Sequence, residues 1–421
     1  VADGKVVAVL RPGETAVAAS VIDATGRHLL PGLVDAHAHL REPGLTHKED
    51  FASGTQAAAL GGVTTVLDMP TDEPWTATPA QLSEKAAMAS GRLHADVGFQ
   101  VVMSRDIADL DALLQLRPVS VEVFTADVPE AFLFETLDAV TQTLKRLAPH
   151  DTLVGISPGE QSILLGSSAR DRAGDIAAFL SSRPPLAEAG GIARALLAAA
   201  ETGARIHLRQ VNSRLGVETW CRLRDVADAT VETTPQNLFF TAEDYEGNGP
   251  NLKASPPFRR REDVAALRAA LSEGLIDIVA TDHAPHSPAE KAGRYAAFAD
   301  IPGGMPGLQT LLAVMLKLVG EGVIGLVDLV RMCSATPARR FGLGRSKGAI
   351  AAGYDADIAI ADFGRTSVIT NGEQASRAAY TPFDGWTIPA ALTDVFLRGE
   401  CIVSDGMLVA PSRGRVVTRQ D

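Results

Sequence analysis

The chain has 421 residues, 46% of them hydrophobic and 21% charged, enough apolar material for one barrel-sized domain and a smaller companion. Its 39 Lys plus Arg face 51 Asp plus Glu, and the net charge of −12 argues against nucleic acid or an anionic membrane as partner. Cys221, Cys333 and Cys401 form no CxxC pair and suggest neither a disulfide framework nor a thiolate zinc site, and no apolar run reaches the roughly 18 residues of a membrane helix.

In chain order, residues 1–31 alternate in short apolar runs (VVAVL, AVAASVIDA) broken by Gly and Pro, which predicts strands and hairpins. The pattern is already under way at Val1, so further native residues are expected ahead of it. No signal peptide is visible, and the cytoplasm is the expected compartment. Between 32 and 342 the runs VTTVLDM, VGFQVVM, VSVEVF, TLVGIS, ARIHL and IDIVATD alternate with Ala/Leu-rich stretches such as PAQLSEKAAMAS, GGIARALLAAAETG and REDVAALRAALSEG. Short buried runs followed by helix formers predict repeated βα units with parallel strands. That length suits a closed (β/α)8 TIM barrel better than an open sheet. Residues 343–421 return to β character in GYDADIAIAD, DVFLRGECIVSDG and RGRVVT.

Catalytic groups of such a barrel belong at the C-terminal ends of its strands. There PGLVDAHAHLREPG places His37 and His39 two apart after an apolar run, so both imidazoles point to one side and can share a divalent metal. In IDIVATDHAPH an apolar strand runs out on Asp282, followed by His283 and His286. A carboxylate there can ligate a metal and serve as general base, or simply cap the next turn. GLGRSKG lacks the ending of a phosphate loop, and no GxSxG elbow occurs.

The segments HAHLREPGLTHKEDFASGTQAAALGGVTTVLDMP, RPPLAEAGGIARALLAAAETGARIHL and ATDHAPH resemble the dihydroorotase branch of the amidohydrolase superfamily, to which allantoinases and hydantoinases are close. The resemblance runs nearly end to end and includes GAIAAGYDADIAIAD. It implies an α/β fold with a barrel at 32–342 and a small composite β-sandwich made from 1–31 and 343–421. It further implies a zinc centre whose positions fall on His37, His39, Asp282 and, in SVEVF, the bridging carboxylate Glu122. Glu122 reads equally as a barrel-interior carboxylate paired with Lys or Arg. Pro158 and Gln210 stand where the family has two further histidines, so one zinc per chain is expected instead of two. His207 lies nearby, off the ligand phase, and reads as a core histidine.

On the substrate side the resemblance gives Arg41 and His286 the task of holding a carboxylate. Thr71 and Ser255 replace two Asn that read the substrate ring, and Gly303 and Gly304 keep a loop that approaches the ligand closely. These departures disfavour dihydroorotate itself while keeping a carboxylate-bearing small molecule in view. The sequence thus predicts a cyclic-amide hydrolase related to pyrimidine metabolism, with Asp282 as proton acceptor. The alternative is a catalytically silent subunit that serves as a structural partner, for instance of aspartate transcarbamoylase. A homo-oligomer is expected by family kinship.

Overall fold

The computed structural model describes residues 1–170 and 173–420. Strand β1 (His28–Pro31) passes through Gly32 into β2 (Leu33–Ala38), whose six residues are all buried. Only glycine fits at 32, because a Cβ there would run into the Thr64 side chain. Next come β3 (Val63–Asp68), β4 (Asp96–Phe99) with its continuation β5 (Val101–Val102), β6 (Val121–Phe124), β7 (Val154–Ser157), β8 (Ile206–Leu208), β9 (Ala229–Thr233) and β10 (Ile278–Val279). Each pairs in parallel with the next. Covered on both faces, such strands carry continuous apolar runs instead of alternation.

Ala38 pairs in parallel with His283 just beyond β10, and the His39 N–H donates to the His283 carbonyl at 2.8 Å. With β4 and β5 counted as one strand, this joins eight parallel strands into a ring. Intervening helices include Phe51–Leu60, Pro79–Ala89, Leu137–Leu147, Pro185–Thr202, Arg214–Leu223 and Arg261–Ser272. Asp50, Thr78, Thr136 and Ser213 cap four helices by accepting a first-turn N–H. Among the described residues no helix is long and apolar enough to cross a membrane.

A second, antiparallel sheet draws on both ends of the chain. β1 pairs with β11 (Ile358–Asp362); beyond the ribbon of β12 (Ser367–Val368) and β13 (Thr387–Ile388), the sheet continues through β14 (Ala391–Leu397), β15 (Glu400–Ser404) and β16 (Met407–Leu408). Two ends behave differently from the sequence pattern. Residues 7–25 form no strand, and Val7, Val9, Val17, Val21 and Ile22 are exposed. Alternation specifies a face but not a partner, and no described strand lies alongside these residues to complete a ladder. The last segment, RGRVVT, leaves the antiparallel sheet altogether: β17 (Val416–Val417) pairs in parallel with β4 of the barrel. A buried Lys347 bridges the two parts, with Asp96 at 2.5 Å, Asp357 at 2.6 Å and Asp355 at 2.9 Å.

Candidate metal centre

His37 lies within β2 and His39 just after it, while Asp282 follows β10 across the strand junction. The ring closure therefore brings residues more than 240 apart in sequence together. Both Nε2 atoms approach one oxygen, Asp282 Oδ1, at 3.3 Å from His37 and 3.2 Å from His39. The potential ligand atoms of the three lie within 4.8 Å of one another. Each ring is held from behind at Nδ1: His37 by Glu232 Oε1 at 2.5 Å, His39 by the Thr71 hydroxyl at 2.8 Å. Burial opposes a charge on His37, but Glu232 and Asp282 outweigh it and raise its pKa. Burial drives His39 down to about 3 despite its contact with Asp282, so this ring is neutral and keeps a lone pair for a cation.

Three residues around this point, Arg41 (φ 61°), Gln210 (φ 49°) and Asp282 (φ 46°), adopt left-handed backbone without being glycine. Such conformations cost of order 1–3 kcal/mol each and concentrate at functional sites. Gln210 donates from Nε2 to Asp282 Oδ2, leaving Oδ1 to face the two imidazoles. Asp35, buried in β2, accepts from the Thr281 N–H (3.0 Å) and hydroxyl (2.5 Å) and from the His37 N–H (3.2 Å). It thereby fixes Thr281, and Asp282 after it, against the histidine strand. Asp68, at the end of β3, accepts from Leu40 N–H at 2.8 Å and pairs with Lys85 at 2.6 Å, anchoring the turn after His39.

The structure does not bring Glu122 to the three candidate ligands. Its carboxylate takes a two-pronged contact from Arg209, with Nε at 3.1 Å and Nη2 at 2.8 Å, and its Oε1 also accepts from the Ser120 hydroxyl at 2.7 Å. Its pairing neighbour on β7 is Gly155, where any Cβ would collide with the Glu122 carboxylate. Pro158 lines the cavity described below. His207 is buried, with Nε2 at 2.9 Å from Glu232 Oε2. Neither His283 nitrogen faces the cluster: Nε2 meets Glu49 at 3.2 Å and Nδ1 accepts the Gly307 N–H at 3.1 Å.

Beyond the cluster lies a positively charged wall. Arg41 Nε is buried and, among the described residues, has no hydrogen-bond partner. His286 is buried, and Lys48 Nζ approaches its Nδ1 at 3.4 Å. Burial first, then Arg41, Lys48 and Lys291, press the His286 pKa down to about 2. A cavity of about 210 Å³ opens next to Gln210, with Phe124, Leu164, Pro158, Arg183 and Ser255 in its lining. A Cβ at Gly303 would come within 3.0 Å of the Ser255 Cβ, and Gly304 (φ 128°) donates its N–H to Lys253 O at 3.0 Å. Thr71 is turned toward His39, so its hydroxyl buttresses a histidine.

Sequence reading named the two histidines and Asp282, which the structure brings together. It missed Asp35, Arg209, Glu232 and Lys48. The available signal was charge inside apolar strands, as in LVDAHA, IHLRQ and ATVET, since a charged residue in a doubly covered strand must point into the barrel and find a partner there.

Comparison with known proteins follows the geometry. The amidohydrolase family signature matches residues 28–150 and 193–402. The chain is 34% identical to a dihydroorotase of Methanothermobacter thermautotrophicus over 418 residues, covering 99% of this chain and 92% of that protein. It is likewise 34% identical to an allantoinase of Streptomyces avermitilis, covering 100% and 94%. Among solved structures, the L-hydantoinase (dihydropyrimidinase) of Arthrobacter aurescens superposes with a TM-score of 0.95 at 29% identity, covering 100% of this chain and 95% of that one.

Proposed function

The chain belongs to the amidohydrolase family, and from that premise we propose that it hydrolyses the C–N bond of a cyclic amide or ureide with the help of one divalent metal ion. The observation that carries this reading is the convergence of two Nε2 atoms on Asp282 Oδ1 while both Nδ1 atoms are engaged behind. Imidazoles held in this way offer lone pairs toward a common point, which fits a cation there. Two nitrogens and a carboxylate oxygen suit zinc. His37, His39 and Asp282 would hold the ion, and Glu122 stays with Arg209.

A bound ion would polarise the scissile carbonyl and acidify the attacking water. The protein supplies the remainder. Asp282 accepts the water proton and returns it to the leaving nitrogen, and the Gln210 amide on its other oxygen keeps the carboxylate turned. Arg41, whose Nε has no partner of its own, and the neutral His286 hold an anionic group of the substrate. Gly303 and Gly304 let backbone approach the ligand, and Ser255 borders the cavity beside Gln210.

The substrate class favoured is a carboxylate-bearing cyclic ureide of the kind handled in pyrimidine metabolism. Dihydroorotate is disfavoured because the Thr71 hydroxyl is occupied by His39 and Ser255 offers no amide to the ring. Three free cysteines support a cytoplasmic setting, and homo-oligomerisation is inferred from kinship alone. The test is elemental analysis of protein purified without chelator, followed by a panel of cyclic amides, ureides and imides. About one zinc per chain together with turnover is expected. Two tightly bound metals would contradict the single-ion reading. No metal and no turnover, with co-purification of a transcarbamoylase-like protein, would favour a structural role.

A further inference from the structure

Directly behind His37 the barrel encloses a guanidinium with no outlet to solvent. Arg209, which follows β8, is fully buried. All five of its N–H groups are used: Nε and one Nη2 hydrogen on Glu122, the other Nη2 hydrogen on Gln100 Oε1, and the two on Nη1 on Ala36 O (2.9 Å) and Glu232 Oε2 (3.1 Å). Its acceptors come from β2, the β4–β5 junction, β6 and β9, so one side chain ties opposite walls of the ring. Ala36 lies immediately before His37, which extends this hold to the backbone of the ligand strand.

Glu232 passes the arrangement on. Its Oε1 meets His37 Nδ1 at 2.5 Å, and its Oε2 is shared between Arg209 and His207 Nε2 at 2.9 Å, whose Nδ1 in turn meets the Thr230 hydroxyl at 2.9 Å. A carboxylate only accepts, so Nδ1 of His37 carries the proton and Nε2 is left to ligate. Two buried carboxylates, Glu122 and Glu232, share this interior. Arg209 stands between them and donates to both.

We propose that Arg209 and Glu232 form a positioning pair for the metal ligand His37, the guanidinium acting as a permanent internal cation that occupies the space between Glu122 and Glu232. This rests on the reading that His37 holds a metal ion. Both oxygens of Glu122 already face Arg209, and Gly155 leaves its volume to that carboxylate, so the guanidinium holds the place where a second ion would meet Glu122.

The experiment measures zinc affinity by chelator competition in the full chain and in Glu232→Gln, with circular dichroism melting on both. Wild type should bind one ion, and Glu232→Gln should bind it about 10–100-fold more weakly while remaining folded. Unchanged affinity in a folded Glu232→Gln variant overturns the pair. Absence of zinc binding by the wild type would be the separate failure of the metal reading, and would end the pair's metal-positioning role with it. If Glu232→Gln does not fold, wild-type protein with ¹⁵N-labelled histidine decides. The ring assigned to His37 through loss of its signal in His37→Gln must be protonated at Nδ1 in the zinc-bound state, and protonation at Nε2 overturns the proposal.

Discussion

Among the described residues two clusters place three ligand-type side chains within cation-sharing distance: His37, His39 and Asp282 at the barrel mouth, and Asp96, Asp355 and Asp357 between the barrel and the antiparallel sheet. The second is more acidic, yet its centre is filled by the Lys347 ammonium, 2.5–2.9 Å from each carboxylate. Burial opposes the Lys347 charge, but the three aspartates outweigh it and raise its pKa. At the mouth, among the described residues, no Lys or Arg forms an ion pair with Asp282; Arg41 and Lys48 stand to one side of the three candidate ligands, and Arg209 stands behind. A cluster is thus read as a metal centre by what already neutralises it, more than by how many ligands it offers.

The largest effect expected from this contrast is on turnover. Asp282→Asn should lower the rate about 10²–10⁴-fold on whatever cyclic amide is hydrolysed, with the melting temperature little changed, since Asn keeps the shape but cannot accept the proton. Metal content must be measured on the variant, and full activity at full occupancy would remove Asp282 from its role. The clasp should respond in stability instead. Lys347→Met removes the cation shared by the three aspartates, leaving Arg398 on Asp96 and Lys5 on Asp355, and should cost about 3 kcal/mol in denaturant unfolding, while zinc content per folded chain stays as in wild type. Loss of zinc in this variant would show the two clusters to be coupled.

Smaller effects separate binding from chemistry. Arg41→Ala should raise KM about 10–100-fold for carboxylate-bearing substrates, corresponding to roughly 1.4–2.8 kcal/mol, and hardly at all for neutral ones. Equal losses on both would place Arg41 outside the substrate clamp. The smallest effect is a predicted absence of pH dependence. An imidazolium contact would lose its charge, and anion affinity would fall, as pH rises through the ordinary histidine range near 6.5. With its pKa near 2, His286 is neutral from pH 5 to 8, and so the inhibition constant of a carboxylate analogue should show no such fall. A titration near pH 6.5 that His286→Gln abolishes would contradict this.

The barrel was legible because its strands are buried on both faces and its helices are rich in Ala and Leu. The His37–His39 pair was legible because two residues at strand spacing share a side, and Asp282 because an apolar run stops on it. What sequence could not show is pairing across the barrel. Glu122 read equally as a ligand and as a carboxylate paired with Lys or Arg, and only the fold brings Arg209, 87 residues away, to face it. Thr71 looked like a substrate contact, and its hydroxyl stands behind His39 from 32 residues away. The N-terminal alternation over 7–25 carried strand character without a neighbour to pair with, and RGRVVT carried the same character but found its neighbour in the barrel.

That last pairing bears on how the molecule is made. The Val97 N–H donates to Arg415 O at 2.9 Å, and Asp96 accepts from the Arg415 N–H across 319 residues of sequence. β1 likewise waits for β11. As the chain emerges from the ribosome, one edge of β4 therefore stays unpaired until residues 415–417 are made, and completing that edge is dominated by contacts distant in sequence. During synthesis the uncovered Val97–Gly98 edge is a template for pairing with other nascent chains, so yield in a foreign host should depend on chaperone supply and on an intact C-terminal tail more than on the melting temperature of the finished protein.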